Sequence, residues 1–190
     1  MRSREIVQKF CNVARIVTKV LMVLMFVSAG LILFSAVTML AVASVEQFRE
    51  IINSAFAYAD MDYSSYQIGM LLIAEAVVAF AEGIVFMYAK RYFENELKDG
   101  TPFTHRGADE LKSLGIRLLA WPFGAIVVSS AIYAIVGINP DFDISLNVGL
   151  GVALIFLSFV IHDGADIKEK AEKSNNSDDK DDFEIHNLFD

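Results

Sequence analysis

"VLMVLMFVSAGLILFSAVTMLAVASV", residues 20–45, runs for 26 positions without a charged side chain. At the helical rise per residue such a run reaches about 39 Å, more than the roughly 30 Å of a bilayer's hydrocarbon core. Three further stretches behave alike. Residues 118–140 are 23 positions without a charge, residues 144–161 are 18, and residues 63–89 are broken only by Glu75 and Glu82. The core helices of a soluble bundle keep a charged face over such lengths. A chain that is 55% hydrophobic with a mean hydropathy of +0.45 has too few charges to supply one here. The sequence therefore predicts an all-α integral membrane four-helix bundle of up-down topology, with spans at about 20–45, 66–89, 115–138 and 143–162. A cleaved signal peptide is the competing account of the first run, with "AVAS" as the cleavage site. The apolar stretch is about twice the usual 7 to 15 residues of a signal h-region, which favours an uncleaved span.

Orientation follows from the basic residues, because loops rich in Lys and Arg stay on the cytoplasmic side. The segment before the first span carries Arg2, Arg4, Lys9, Arg15 and Lys19. The middle connection carries Lys90, Arg91, Lys98, Arg106, Lys112 and Arg117, and the last segment Lys168, Lys170, Lys173 and Lys180. These are 15 of the 16 basic residues, leaving Arg49 for the opposite side. Both ends and the middle connection are thus expected in the cytoplasm. The net charge of -8 does not oppose this, since acids contribute little to the rule.

Around the spans, local patterns predict further structure. Ile6, Val7, Phe10, Val13, Ala14 and Val17 recur at helical spacing, so the first helix begins as a basic amphipathic approach to the bilayer. "VEQFREIINSAFAYAD" predicts a short helix on the outer side, and Tyr58, Tyr63 and Tyr66 suit an aromatic belt. In the second span Ala79 and Gly83 form a small-xxx-small pair for close helix approach. That span continues into the cytoplasm through "YAKRYFENELK" and stops at Gly100, a residue tolerant of the left-handed C-cap conformation. Pro102 blocks continuation, and Thr104 caps a new helix starting near His105. Phe103, the large apolar residue of the turn, is expected to pack on the bundle or on a partner. Residues 90–114 thus read as a cytoplasmic helical hairpin. Pro122 predicts a kink in the third span. The membrane domain is expected to occupy residues 1–173, followed by a disordered acidic tail at 174–190, whose Phe183, Ile185, Leu188 and Phe189 have little to bury against.

Candidate chemistry is sparse. Glu75 and Glu82 lie two turns apart on one face, and a carboxylate at this depth costs several kcal/mol unless paired, protonated or hydrated. They either line a polar path or bond neighbouring helices, and packing is the simpler role. Arg117 is the expected partner of Glu82, with snorkelling to the headgroups as its other option. His162, Asp163 and Asp166 gather after the fourth span, where an interfacial end-cap is a better account than a metal. Histidines at 105, 162 and 186 are scattered along the chain, and the lone Cys11 permits no disulfide or thiolate cluster. No HExxH, G-x-S-x-G or phosphate-loop motif is present, and no adjacent glutamate pair with histidine as in the CAAX-type intramembrane proteases. No catalytic residue, metal site or cofactor is assigned.

"LKDGTPFTHRGADELKSLGIRLL" between the second and third spans resembles the bacterial membrane proteins grouped as the domain-of-unknown-function family 2975 (DUF2975). Gly100, Pro102, Phe103 and Thr104 match that family's G-x-P-F-T turn, Leu111 and Leu114 its Leu-rich entry into the next span, and "VIHDGADIKEKAE" its exit from the last. His105, Arg106 and Gly107 depart from the acidic residue and Asn that follow the Thr there. The resemblance implies a four-span bacterial inner-membrane protein, not an enzyme, sometimes encoded beside a small helix-turn-helix regulator. The expected function is accordingly non-enzymatic, through protein or peptide contacts in envelope stress or self-immunity. The alternative is a small transporter or transporter subunit using Glu75 and Glu82. Expected partners are the lipid bilayer and a second copy or another membrane protein, with no nucleic acid.

Overall fold

A computed structural model describes residues 2–58, 63–99, 104–139 and 145–186. All regular structure in it is helical: α1 (Arg2–Ala43), α2 (Glu46–Tyr58), α3 (Ser65–Asp99), α4 (His105–Val136) and α5 (Ser145–His186). Four of these are long and apolar enough to cross a membrane, over Gln8–Ala43, Ser65–Lys98, His105–Val136 and Gly149–Ala171. The amphipathic lead-in and the first span form one continuous helix. The 90–114 hairpin is likewise no separate unit, because its arms are the ends of α3 and α4. Gly100, Pro102 and Phe103 of the turn lie outside the described residues, as do Leu188 and Phe189 of the tail.

The helices stand in a row. Among the described residues α1 packs on α3, α3 on α4 and α4 on α5, while α1 meets neither α4 nor α5. Each neighbouring pair is antiparallel: Gly69 and Gly83 of α3 meet Leu40 and Phe26 of α1, and Gly115 and Gly151 join α4 to α5. The up-down order of the sequence reading thus appears as an open layer, with the start of α1, the α3–α4 connection and the later part of α5 at one end. Its outer faces are strongly apolar, with Leu24, Leu31, Phe34, Phe123, Ile135, Phe156 and Val160 exposed. Such surfaces suit hydrocarbon rather than water.

Small residues hold the row together. Among the described residues the buried positions of α1 beyond Cys11 are Ala29, Ala36 and Ala43, seven apart. On α3, Gly69, Ala76 and Gly83 repeat the interval and are all buried. A seven-residue repeat on both partners keeps one seam together along nearly antiparallel helices, and small side chains let the backbones close in where lipid provides no hydrophobic drive. Gly83, half of the sequence-derived pair with Ala79, belongs to this longer series. Between α4 and α5 the approach is closer: a β-carbon on Gly115 would lie 2.9 Å from the Gly151 carbonyl oxygen.

Polar groups close the helix ends. Ser64 and Gln67 form a capping box at the start of α3: Ser64 N–H donates to Gln67 Oε1 at 2.9 Å, and Gln67 N–H to Ser64 Oγ at 3.3 Å. Asn53 of α2 accepts from Ser65 N–H at 2.9 Å, and Gln67 Nε2 donates to the Val136 carbonyl at 3.2 Å. Gly137, at φ +71°, ends α4 in a Schellman turn, with Ile138 N–H on the Tyr133 carbonyl and Gly137 N–H on that of Ala134. Pro122 is buried inside α4, which is assigned as one uninterrupted helix. Helix α5 runs through residue 186, past the domain boundary placed at 173. Its alternating Lys and Glu from Lys168 to Lys173 support local helix, with Lys173 Nζ 2.7 Å from Glu169 Oε1.

Candidate functional site

The end of the row that holds the α3–α4 connection is polar and cross-braced. Thr104, in extended conformation, caps α4 by accepting from Gly107 N–H at 2.9 Å. That cap sets Ala108 and Leu111 into a small core with Ile161 of α5, against which Tyr92 and Leu154 pack. Asn95 Nδ2 of α3 donates to both carboxylate oxygens of Glu110, at 3.0 and 2.9 Å, and Arg106 Nε reaches the same group at 3.1 Å. Glu110 therefore fastens α4 to α3.

Beside this lock is a crevice of about 300 Å³ whose lining includes Tyr88, Arg91, Tyr92, Arg106, Ser113 and Arg117. Arg117 lies over the Tyr88 ring, its guanidinium carbon 4.0 Å from the centroid, a cation–π arrangement. The expected Arg117–Glu82 pair is not formed. In the antiparallel register Arg117 is level with Tyr88, six residues and so about 9 Å nearer the connection than Glu82. Glu75 instead receives a long hydrogen bond, 3.4 Å, from the Tyr133 hydroxyl of α4. Glu82 is half-buried on the same face of α3. The two glutamates thus stay apart from the crevice, and only Arg117 of the three intramembrane candidates joins it.

Two groupings are absent from the sequence reading. Glu96 is buried, 6% exposed, and hydrogen-bonds Tyr92 with Cys11 of α1 close enough to feel its charge. Its position one turn before the end of α3 gives no sign of burial, which depends on α1 running alongside. The second grouping joins His105 to the His162–Asp166 pair. His105 Nε2 stands 3.5 Å from Asp166 Oδ1 and 3.4 Å from Glu169 Oε2, and His162 Nδ1 is 3.8 Å from Asp166 Oδ2. The imidazole rings meet edge to face with centroids 4.7 Å apart. Asp163, the third member of the sequence-derived cluster, lines the neighbouring groove of Lys112 and Phe159 instead. Lys173 holds the far side of Glu169, and that hydrogen bond raises the lysine above its ordinary pKa.

What the fold defines is an all-helical chain with four helices fit to cross a membrane and a polar, cross-braced end. No family model, no curated protein and no solved structure matches it.

Proposed function

We propose that this is a non-enzymatic multipass protein of the bacterial cytoplasmic membrane, with both ends and the α3–α4 connection in the cytoplasm, acting through protein or peptide contacts at that face. The DUF2975 resemblance and the placement of basic residues support the setting. The observation that carries the reading is the crevice: Arg91, Arg106 and Arg117 stand among Tyr88 and Tyr92, on a scaffold braced by Asn95 and Glu110. Guanidinium groups beside aromatic faces suit carboxylates and backbone carbonyls of an extended peptide. A role in envelope stress or in self-immunity against a membrane-active peptide agrees with short outer segments and the lack of a catalytic motif.

A photo-crosslinking residue at Ser113 tests this in living cells. A discrete crosslinked partner, lost when Arg91 and Arg117 are both replaced by Gln, is the expected result. Crosslinks to lipid alone, together with unchanged sensitivity of a deletion strain to a panel of membrane-active peptides, would reject the reading.

The second reading, a small transporter or transporter subunit, is favoured by the Tyr133 hydroxyl on Glu75, with Glu82 two turns along the same face. Proteoliposome flux abolished by Glu75→Gln with Glu82→Gln would establish it, and flux indifferent to both changes would dismiss it.

A further inference from the structure

We propose that His105, His162, Asp166 and Glu169 form a binding site for a divalent first-row transition-metal ion, which fastens the start of α4 to the later part of α5. The fold brings His105, in the first turn of α4, to three residues that stand on successive turns of α5. One ligand atom each from His105, His162 and Asp166 lies within 4.8 Å of the others, and Glu169 Oε2 is 3.4 Å from His105 Nε2. In a tetrahedral zinc site with bonds of about 2.0 to 2.1 Å, ligand atoms stand about 3.3 to 3.4 Å apart. His105 Nε2 stands close to that spacing from both Glu169 Oε2, at 3.4 Å, and Asp166 Oδ1, at 3.5 Å, while His162 Nδ1, at 3.8 Å from the other Asp166 oxygen, needs a side-chain rotation to share the ion.

The donor set chooses the class of ion. Two imidazoles with two carboxylates match zinc, manganese, cobalt or nickel, whereas magnesium and calcium prefer all-oxygen shells and copper(I) prefers thiolate or thioether sulfur. The backbone framework is already fixed. Thr104 caps the turn that carries His105, and the neighbouring residues Ala108 and Ile161 are buried against each other. The four side chains are about half exposed, so the site opens to the aqueous side and needs no channel for the ion to enter. Glu169 is also engaged from its other side, where Lys173 holds Oε1. A bridging carboxylate of this kind can orient toward the ion while its charge is balanced on both sides.

The experiment uses the purified full chain in detergent, stripped with EDTA and titrated with zinc chloride by calorimetry. Cobalt(II) replaces zinc in a parallel absorption measurement. Expected are one ion per chain, intense visible cobalt bands of a four-coordinate site, and a rise in thermal midpoint on adding zinc. His105→Asn and His162→Asn should each weaken zinc binding by about tenfold or more. His186→Asn, on the distal part of α5, should leave it unchanged. Unaltered helical circular dichroism in each variant separates loss of the site from loss of the fold, with His162→Gln as the substitute where His162→Asn does not fold. Absence of stoichiometric binding, or binding indifferent to both His105 and His162, would overturn the proposal and leave the cluster as an ion-paired clamp.

Discussion

Gly115 and Gly151 face each other across the α4–α5 crossing, and a β-carbon on Gly115 would meet the Gly151 carbonyl oxygen at 2.9 Å and Ile155 N at 3.2 Å. These two are backbone atoms, which a rotamer change cannot move, and the side-chain atom Ile155 Cγ1 is nearer still at 2.8 Å. Gly115→Ala is therefore expected to destabilise the fold by about 1 to 3 kcal/mol, the usual range for overpacking. Gly124→Ala, on the same helix with nothing within 4 Å of the new carbon, should be neutral or gain up to about 1 kcal/mol from helix propensity. Unfolding of the two variants in SDS–detergent mixtures compares them directly. Equal stabilities would mean that α4 and α5 do not cross this closely.

Ser129 is fully buried and donates from Oγ to the Ala74 carbonyl at 3.1 Å, joining α4 to α3 in the middle of the row. The acceptor belongs to a helix and has a backbone partner of its own, so the added bond is modest. Ser129→Ala should cost about 0.6 kcal/mol, the average for such bonds between membrane helices. Ser129→Leu should cost several times more, since it must displace α3. The same SDS unfolding measurement separates a lost hydrogen bond from a lost fit.

At the braced end, Asn95 and Arg106 both spend donors on Glu110. Glu110→Ala removes the shared acceptor and leaves the half-buried Asn95 amide without it, at an expected cost of about 1 to 3 kcal/mol. Asn95→Ala in the Glu110→Ala background should add little. A double-mutant cycle measures that non-additivity, and simple additivity would show that the two residues do not communicate.

The element plan was legible because it rests on local signals. Charge-free runs mark the helices, "VEQFREIINSAFAY" shows the spacing that becomes α2, and Thr104 is a capping residue beside a helix start. The Ser64–Gln67 capping box was legible too, since Ser-x-x-Gln before an apolar run is its written form, yet the tyrosines around it suggest a membrane belt instead. What the sequence hides is lateral. Ala79 and Gly83 make a visible small pair, but the series Gly69, Ala76, Gly83 gains meaning only beside Ala29, Ala36 and Ala43 on another helix. Arg117 looks level with Glu82 until the antiparallel register puts Tyr88 beneath it. His105 and His162 are 57 positions apart, and only the α4–α5 crossing at Gly115 and Gly151 determines that their rings meet.

The orientation of the row yields the last prediction. Cys11 is buried against α3, so its replacement by Ser supplies a cysteine-free background with little change in packing. Single cysteines introduced by Ser54→Cys on α2 and Lys112→Cys on α4 then report opposite ends, because both positions are exposed. If basic residues mark the cytoplasmic side, a membrane-impermeant maleimide added to bacterial spheroplasts should label the position 54 variant and spare the position 112 variant until the membrane is permeabilised. The reverse pattern would invert the topology and move the arginine crevice and the histidine cluster to the outer face. Labelling of neither position until the membrane is permeabilised would place both ends of the row on the inner side, and would remove the crossing and with it the assignment of the apolar faces to lipid.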